Sequence, residues 1–392
     1  MSTFRTPHRI LFGAGVRGEI GDVVRELGLQ RPLIVTDPFH AGNGVADELA
    51  GILTAAGLAV AVFSETVPDP TVDSVDDGVL AAHAHSADAV IGLGGGSPLD
   101  TAKAIALLAV RGGSMRDFKA PTVTTGDALP IVAVPTTSGS GSEATQFTII
   151  TDAANSEKML CPGPVFLPKV AVVDFELTLS MPQRLTADTG VDALTHAIEA
   201  YVSRKATAMS DVFALRAMTL VADNLVAAYE DGGNRAAREN MMLGALLAGI
   251  AFSNSSVALV HGMSRPIGAQ FHIAHGLSNA VLFAEVTRYS LPGALARYAD
   301  CARAIGAATP DDSDETAAEA LVAAIEQLVA VLAVPGLPAL GVTAEAWEAA
   351  LSDMAEQALA SGSPANNPVV PSAEEIVGIY ERVFAAGIRP LT

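Results

Sequence analysis

The stretch "AVIGLGGGSPLDTAKAIALLAV", residues 89–110, decides the fold: a continuous apolar run, three glycines and a helix-forming segment follow one another directly. An apolar run without polar alternation suits a strand covered on both faces. The glycines let backbone N–H groups come close to a pyrophosphate, and the following helix aims its positive end at that charge. The pattern departs from the dinucleotide fingerprint. After Gly92 and Gly94, Ser97 stands where a third glycine is expected, and the run lies in the third βα unit instead of the first. A tight strand-to-helix turn that merely needs glycines is the alternative reading of the same residues.

Similar β-branched runs flank it: "PLIVTD" at 32–37, "AVAVFSE" at 59–65, "PIVAVPTT" at 130–137 and "VAVVD" at 170–174, with amphipathic segments between them. This alternation predicts a mostly parallel, Rossmann-like α/β layer. From "MPQRLTADTG" (181–190) onward the runs give way to long Ala/Leu patterns such as "DETAAEALVAAIEQLVAVLA", which predict an all-helical domain. Pro182 marks the expected boundary, giving a dinucleotide-binding α/β domain over 1–182 and a helical, metal-binding domain over 183–392.

The 392 residues exceed the size at which one core usually keeps growing, and half of them are apolar against 17% charged. A net charge of −20 with no basic block opposes binding to nucleic acid or to an anionic membrane. The start of the chain has no apolar signal core, and the run "MMLGALLAGIAF" (241–252) is too short to span a bilayer, so a cytoplasmic protein is expected. With only Cys161 and Cys301 in the sequence, a disulfide framework and a cysteine-ligated zinc site are both excluded.

Around the glycine loop, Asp37 ends the run "PLIVTD", where a carboxylate accepts from a ribose hydroxyl and repels a 2′-phosphate; this favours NAD over NADP. A second small-residue turn, "VPTTSGSGSEAT" at 134–145, offers hydroxyls and amides to a nicotinamide, and Lys158 is a further candidate for cofactor oxygens.

In "TADTGVDALTHAIEAYV" (186–202), Asp192 and His196 stand four residues apart and so share one helix face. The segment "HGMSRPIGAQFHIAH" (261–275) holds three of the eight histidines. In one straight helix His261 and His275 would lie about 21 Å apart, so the chain must bend for both to reach one ion. Pro266 and Gly268 are the expected break, and Gly276 allows close approach beside His275. His272 is free to face cofactor or substrate. One carboxylate and three neutral imidazoles around a divalent ion leave room for a substrate oxygen, an open and therefore catalytic arrangement. Fe(II), Zn(II) and Mn(II) all suit these donors.

Together, "GGGSPLDTAKAIA", "VPTTSGSGSEAT", "EKMLCPGPVFLPKVAVVDFELTLSMP", "TADTGVDALTHAIEAYVS" and "HGMSRPIGAQFHIAHGLSNAVL" resemble, in order and spacing, the iron-containing (group III) alcohol dehydrogenase family over essentially the whole chain. The resemblance implies an active site in a cleft between an α/β and an all-helical domain, with Asp192, His196, His261 and His275 as ligands of an ion, Fe(II) above Zn(II) or Mn(II). It maps NAD contacts onto Asp37, Asp69, Gly95, Gly96, Ser97, Thr136, Thr137, Ser140, Thr145, Phe147, Lys158 and Leu177; Asp69 falls where many relatives carry asparagine. It also implies reversible hydride transfer between a small alcohol and NAD, in a homodimer or larger homo-oligomer.

Arg265 departs from the family, many of whose members have histidine there, near the substrate. Two readings follow: His272 or a water relays the proton, or Arg265 recognises a carboxylate, sulfonate or phosphonate on an acidic aldehyde. The alternative reaction class is a dehydroquinate-synthase-like lyase, sharing the glycine loop, NAD and metal, but Arg265 is the only basic residue besides histidine within 261–275.

Overall fold

The structure is a computed structural model that describes residues 3–155 and 157–387. The residues divide into two compact units, Arg5–Ser180 and the chain from Met181 onward joined by Phe4.

In the first unit the apolar runs form strands: β1 (Arg9–Phe12), β2 (Pro32–Val35), β3 (Ala61–Phe63), β4 (Ala89–Gly94), β5 (Ile131–Pro135), β6 (Phe147–Asp152), β7 (Glu157–Pro162) and β8 (Val170–Val173). Six of them make one sheet in the order β1-β8-β5-β4-β2-β3, with every pairing parallel. Residue parity sends side chains to opposite faces. Leu33, Val35, Val90 and Ile131 pack on one face with Ile105 and Leu108 of the Gly96–Arg111 helix, while Ile34, Ile91, Leu93 and Val132 pack on the other with Leu49 and Leu53. Both faces are therefore covered, as a parallel sheet requires.

Strand order reverses between β2 and β4, and ligands of open α/β sheets bind outside the carboxyl ends of strands at such a point. Here β4 runs into Gly95–Ser97 and β2 into Thr36–Asp37. The remaining two strands, β6 and β7, form an antiparallel hairpin.

The second unit contains no strand among its described residues. The Gln183–Val202, Ala208–Glu230 and Arg235–Asn254 helices pack on one another. Small residues set their spacing: a Cβ at Gly190 would lie 2.2 Å from a Leu225 methyl, and one at Gly244 2.8 Å from a Val221 methyl. The Ala208–Glu230 helix has the length and apolar composition of a membrane span, a feature the sequence reading passed over, yet Leu225 and Val221 of that helix are buried in this packing.

The expected break at Pro266 and Gly268 is not where the chain turns. Pro266 lies inside the Leu259–Phe271 helix, which accepts the loss of one N–H donor and continues. The helix stops at His272, whose left-handed φ of 55° caps it, and a new helix begins at His275. Upstream, the Arg235–Asn254 and Leu259–Phe271 helices meet at 103°.

Candidate metal centre

The Gln183–Val202 helix places Asp192, His196 and Glu199 along one face at spacings of four and three, and all three are buried. The first turn of the Leu259–Phe271 helix brings His261 against that face, and the start of the His275–Ser290 helix brings His275. Gly276 makes the last approach possible, because a Cβ there would lie 2.4 Å from the Asp188 carbonyl oxygen.

The outcome is a cluster in which one ligand atom from each of Asp192, His196, His261 and His275 lies within 4.8 Å of the others. Asp192 Oδ1 is 3.8 Å from His196 Nε2, 3.4 Å from His261 Nε2 and 3.7 Å from His275 Nε2. Atoms bound at about 2.1 Å to one ion are at most about 4.2 Å apart, so the cluster needs only small adjustments to close on an ion. The donor set, one carboxylate and three imidazoles, fits a borderline divalent cation.

Ring packing holds the imidazoles. His196 stacks between Phe252, at a centroid distance of 4.3 Å, and His261, at 4.4 Å. His261 Nδ1 donates to Glu199 Oε2 at 2.6 Å, which leaves Nε2 with its lone pair toward the cluster. Glu199 also accepts from the backbone N–H groups of Ala258, at 2.9 Å, and Val260, at 2.6 Å, thereby capping a helix whose own N-cap residue supplies no side-chain bond.

Electrostatics follow this arrangement. Burial by itself raises the Asp192 carboxyl, but His196, His275 and His261 outweigh it and hold the group well below the usual carboxylate range. Burial lowers His261, and Glu199 and Asp192 more than reverse that, so its pKa is raised. Cys161 is buried in the first unit and pushed up to about 12 by desolvation, and Cys301 is raised for the same reason. Neither thiol is poised as a nucleophile.

Two other residues singled out in this region, His272 and Arg265, are not members of that four-residue group. His272 is exposed at the end of its helix. Arg265 is 7% exposed, donates to Ser363 Oγ at 2.9 Å, and has no partner for Nε. Burial lowers its pKa to about 10, with Glu199 opposing the shift, so it stays a cation.

In the first unit, Gly95 caps the Gly96–Arg111 helix without any side-chain bond to the first-turn N–H groups. A Cβ at Gly95 would lie 3.3 Å from Thr137 and one at Gly96 3.3 Å from Ser140, so the two turns form a narrow cradle that side chains would fill. The buried Thr136 Oγ1 has no partner. This cradle, with its free N–H groups and orphaned hydroxyl, fits the pyrophosphate of a dinucleotide.

Asp37 Oδ1 accepts from the backbone N–H of His40 and lies 2.9 Å from His40 Nδ1. Lys158 Nζ donates to Asp69 Oδ1 at 2.7 Å, pairing two residues that were singled out separately. Thr145 Oγ1 and the Phe147 carbonyl both accept from the fully buried Lys103, at 2.9 and 2.8 Å, and Ser142 Oγ accepts from it at 2.7 Å. Lys103 therefore fixes the second turn, a function the sequence reading missed. Leu177 packs against the sheet's apolar core.

Two family descriptions match the chain: "Iron-containing alcohol dehydrogenase" over residues 7–175 and "Fe-containing alcohol dehydrogenase family, C-terminal" over residues 186–384. The chain is 36% identical to an NAD-dependent methanol dehydrogenase of Bacillus methanolicus, over 98% of this chain and 100% of that one. It is 37% identical to a lactaldehyde reductase of Escherichia coli K12, over 95% and 97% respectively. A solved 1,3-propanediol oxidoreductase superposes with a TM-score of 0.94 at 35% identity, covering 98% of this chain and 100% of the other.

Proposed function

The chain belongs to the iron-containing alcohol dehydrogenase family, and from that premise we propose that Asp192, His196, His261 and His275 hold its catalytic ion, Fe(II). It is a metal-dependent, NAD-linked alcohol dehydrogenase and aldehyde reductase acting on small molecules. The observation that carries the site assignment is the convergence of one carboxylate and three imidazoles from three helices within 4.8 Å.

The bound groups supply Lewis acidity toward an alcohol or carbonyl oxygen and a hydride acceptor or donor in the nicotinamide. The chain's residues do the rest. Glu199 keeps the proton of His261 on Nδ1, so that Nε2 stays a lone-pair donor throughout the cycle. Gly95, Gly96 and Ser97 offer first-turn N–H groups to the pyrophosphate, and Thr136, Thr137 and Ser140 line the facing turn. Lys103 holds that turn in place through Thr145 and Phe147. Asp37 and the Asp69–Lys158 pair contribute the ribose contacts. His272, exposed on the turn before His275, is assigned to proton exchange with solvent.

Arg265 is assigned a supporting position. Its guanidinium bonds to Ser363 and lies in the field of Glu199. The substrate reading is accordingly a small neutral alcohol or aldehyde, in a cytoplasmic homo-oligomer.

The test is to strip the purified protein of metal anaerobically, reload it with Fe(II), Zn(II) or Mn(II), and follow NADH formation from NAD and a panel of short alcohols. NADH should appear only in reloaded samples, fastest with Fe(II). No NADH with any metal or alcohol is the result a lyase or a non-catalytic NAD-binding protein gives, and it would overturn the proposal.

A further inference from the structure

Asp69 sits between two prolines in "VPDPT" (67–71) and takes a left-handed φ of 51°. That region is sparsely populated outside glycine, and a following proline narrows the choice further. Such strain persists only where the surroundings hold the backbone in place, and it gathers at ligand clamps. The loop that carries Asp69 follows β3 and is held from two sides. On one, the Thr66 N–H donates to the Thr36 carbonyl at 3.3 Å, and Thr36 Oγ1 donates to the Leu93 carbonyl at 2.8 Å, just ahead of the glycine turn. On the other, the Thr151 N–H of the β6–β7 hairpin donates to the Pro70 carbonyl at 2.7 Å. Lys158 stands directly opposite Thr151 in the hairpin register, and its Nζ donates to Asp69 Oδ1 at 2.7 Å. Two paired hairpin residues thus hold two consecutive loop residues, one through the main chain and one through charge.

The ion pair is lopsided. The Lys158 side chain is 7% exposed and that of Asp69 48%. Among the described residues Asp69 is the one hydrogen-bond partner of the Lys158 ammonium. An ammonium carries three hydrogens, so two remain for a ligand. The carboxylate cancels most of the charge without using up the donors. A buried ammonium left alone would present its full charge to the phosphates of a dinucleotide and hold them strongly in both redox states. Cofactor must also leave at each turnover, and release is the slow step in many enzymes.

We propose that Asp69 sets the strength of dinucleotide binding by masking the charge of Lys158, so that the ammonium orients cofactor oxygens without trapping the cofactor. This rests on the assignment of Lys158 to the NAD site. Asp69 acts through Lys158 and is a positioning residue. Asparagine in its place keeps the size, the tolerance of a left-handed backbone and an acceptor oxygen, and removes only the mask.

The test titrates NADH into the full chain, loaded with Fe(II) under anaerobic conditions, by cofactor fluorescence, and measures NAD by competition. Asp69→Asn should bind both at least about threefold more tightly at low ionic strength, as expected when one charge is uncovered several ångströms from a phosphate. The gain should shrink as salt is raised, and NADH should dissociate more slowly in stopped-flow displacement. Lys158→Met should weaken both cofactors, and in that background Asp69→Asn should lose its effect, which is the coupling a double-mutant cycle reads. Unchanged or weaker binding in Asp69→Asn overturns the proposal. So does an equal gain with and without Lys158, since Asp69 would then repel the cofactor directly. Melting of the variants checks folding; if Lys158→Met fails to fold, the salt series decides, and a gain that persists undiminished at high salt contradicts masking. An unaltered protein that binds neither NAD nor NADH refutes the cofactor reading itself, which is a distinguishable result.

Discussion

Glu199 Oε2 and His261 Nδ1 lie 2.6 Å apart, and the same carboxylate caps the helix that carries His261. One side chain therefore fixes both the position of the helix and the tautomer of His261. Glu199→Gln retains the shape but replaces one acceptor oxygen with a donor, which faces N–H groups that themselves donate. Metal affinity should drop about 10- to 100-fold, and the metal-free protein should lose about 1–3 kcal/mol of stability. Chelator competition and denaturant titration measure the two effects. A Gln variant that holds its ion as tightly as the parent contradicts this role.

Gly276 lets two backbones touch beside His275. Because a methyl there would sit 2.4 Å from a main-chain oxygen of Asp188, Gly276→Ala must push the His275–Ser290 helix away from the Gln183–Val202 helix. The expected cost is about 1–3 kcal/mol of stability, together with weaker metal uptake, because His275 moves with its helix. Unchanged uptake in the alanine variant would show that the close approach is not what positions His275.

Glu143 gives the first unit a pH signature. Its carboxyl is buried, and desolvation raises it from 4.5 to about 7, against the opposing pull of a backbone hydrogen bond and Lys103. A raised folded-state pKa means that the native protein binds a proton that the unfolded chain has released, so the contribution is complete below about pH 4.5 and is lost as pH rises through 7. Glu143→Gln removes this dependence. At pH 8 the variant should be more stable than the parent by up to about 3 kcal/mol, and at pH 4.5 the two should match. Paired denaturant titrations at the two pH values check it; a Gln variant destabilised equally at both contradicts it.

Arg265 tests the choice of substrate. If its guanidinium serves Ser363 and the surroundings of Glu199, Arg265→Ala should lower stability and reduce kcat/KM for neutral and acidic aldehydes alike, leaving their ratio within about twofold. A selective rise in KM for carboxylate- or sulfonate-bearing aldehydes would instead make Arg265 a specificity residue.

The sequence exposed what burial makes periodic or continuous. Strands β2, β4, β5 and β8 are buried along their whole length and read as unbroken apolar runs. By contrast β1 is only partly buried, and the β6–β7 hairpin is half-exposed, with residues such as Glu157 and Lys158 in its register; neither was anticipated. The pairing of Asp192 with His196 followed from helix periodicity, and the density of histidines pointed to His261 and His275. The turn between those two was misplaced because proline was taken as a stop, whereas the helix runs through Pro266 and ends on His272. Glu199, and Asn279, whose Nδ2 donates to Asp192 Oδ1 at 2.7 Å, were overlooked although each repeats a helical spacing, three residues beyond His196 and four beyond His275. A carboxylate in the otherwise apolar run "HAIEAYV" was the available signal for the first.

The most direct test is anomalous diffraction at the iron absorption edge from crystals grown anaerobically with Fe(II). One strong peak should appear about 2.1 Å from the side chains of Asp192, His196, His261 and His275. Iron bound in stoichiometric amount at any other place, with those four side chains uninvolved, would contradict the account.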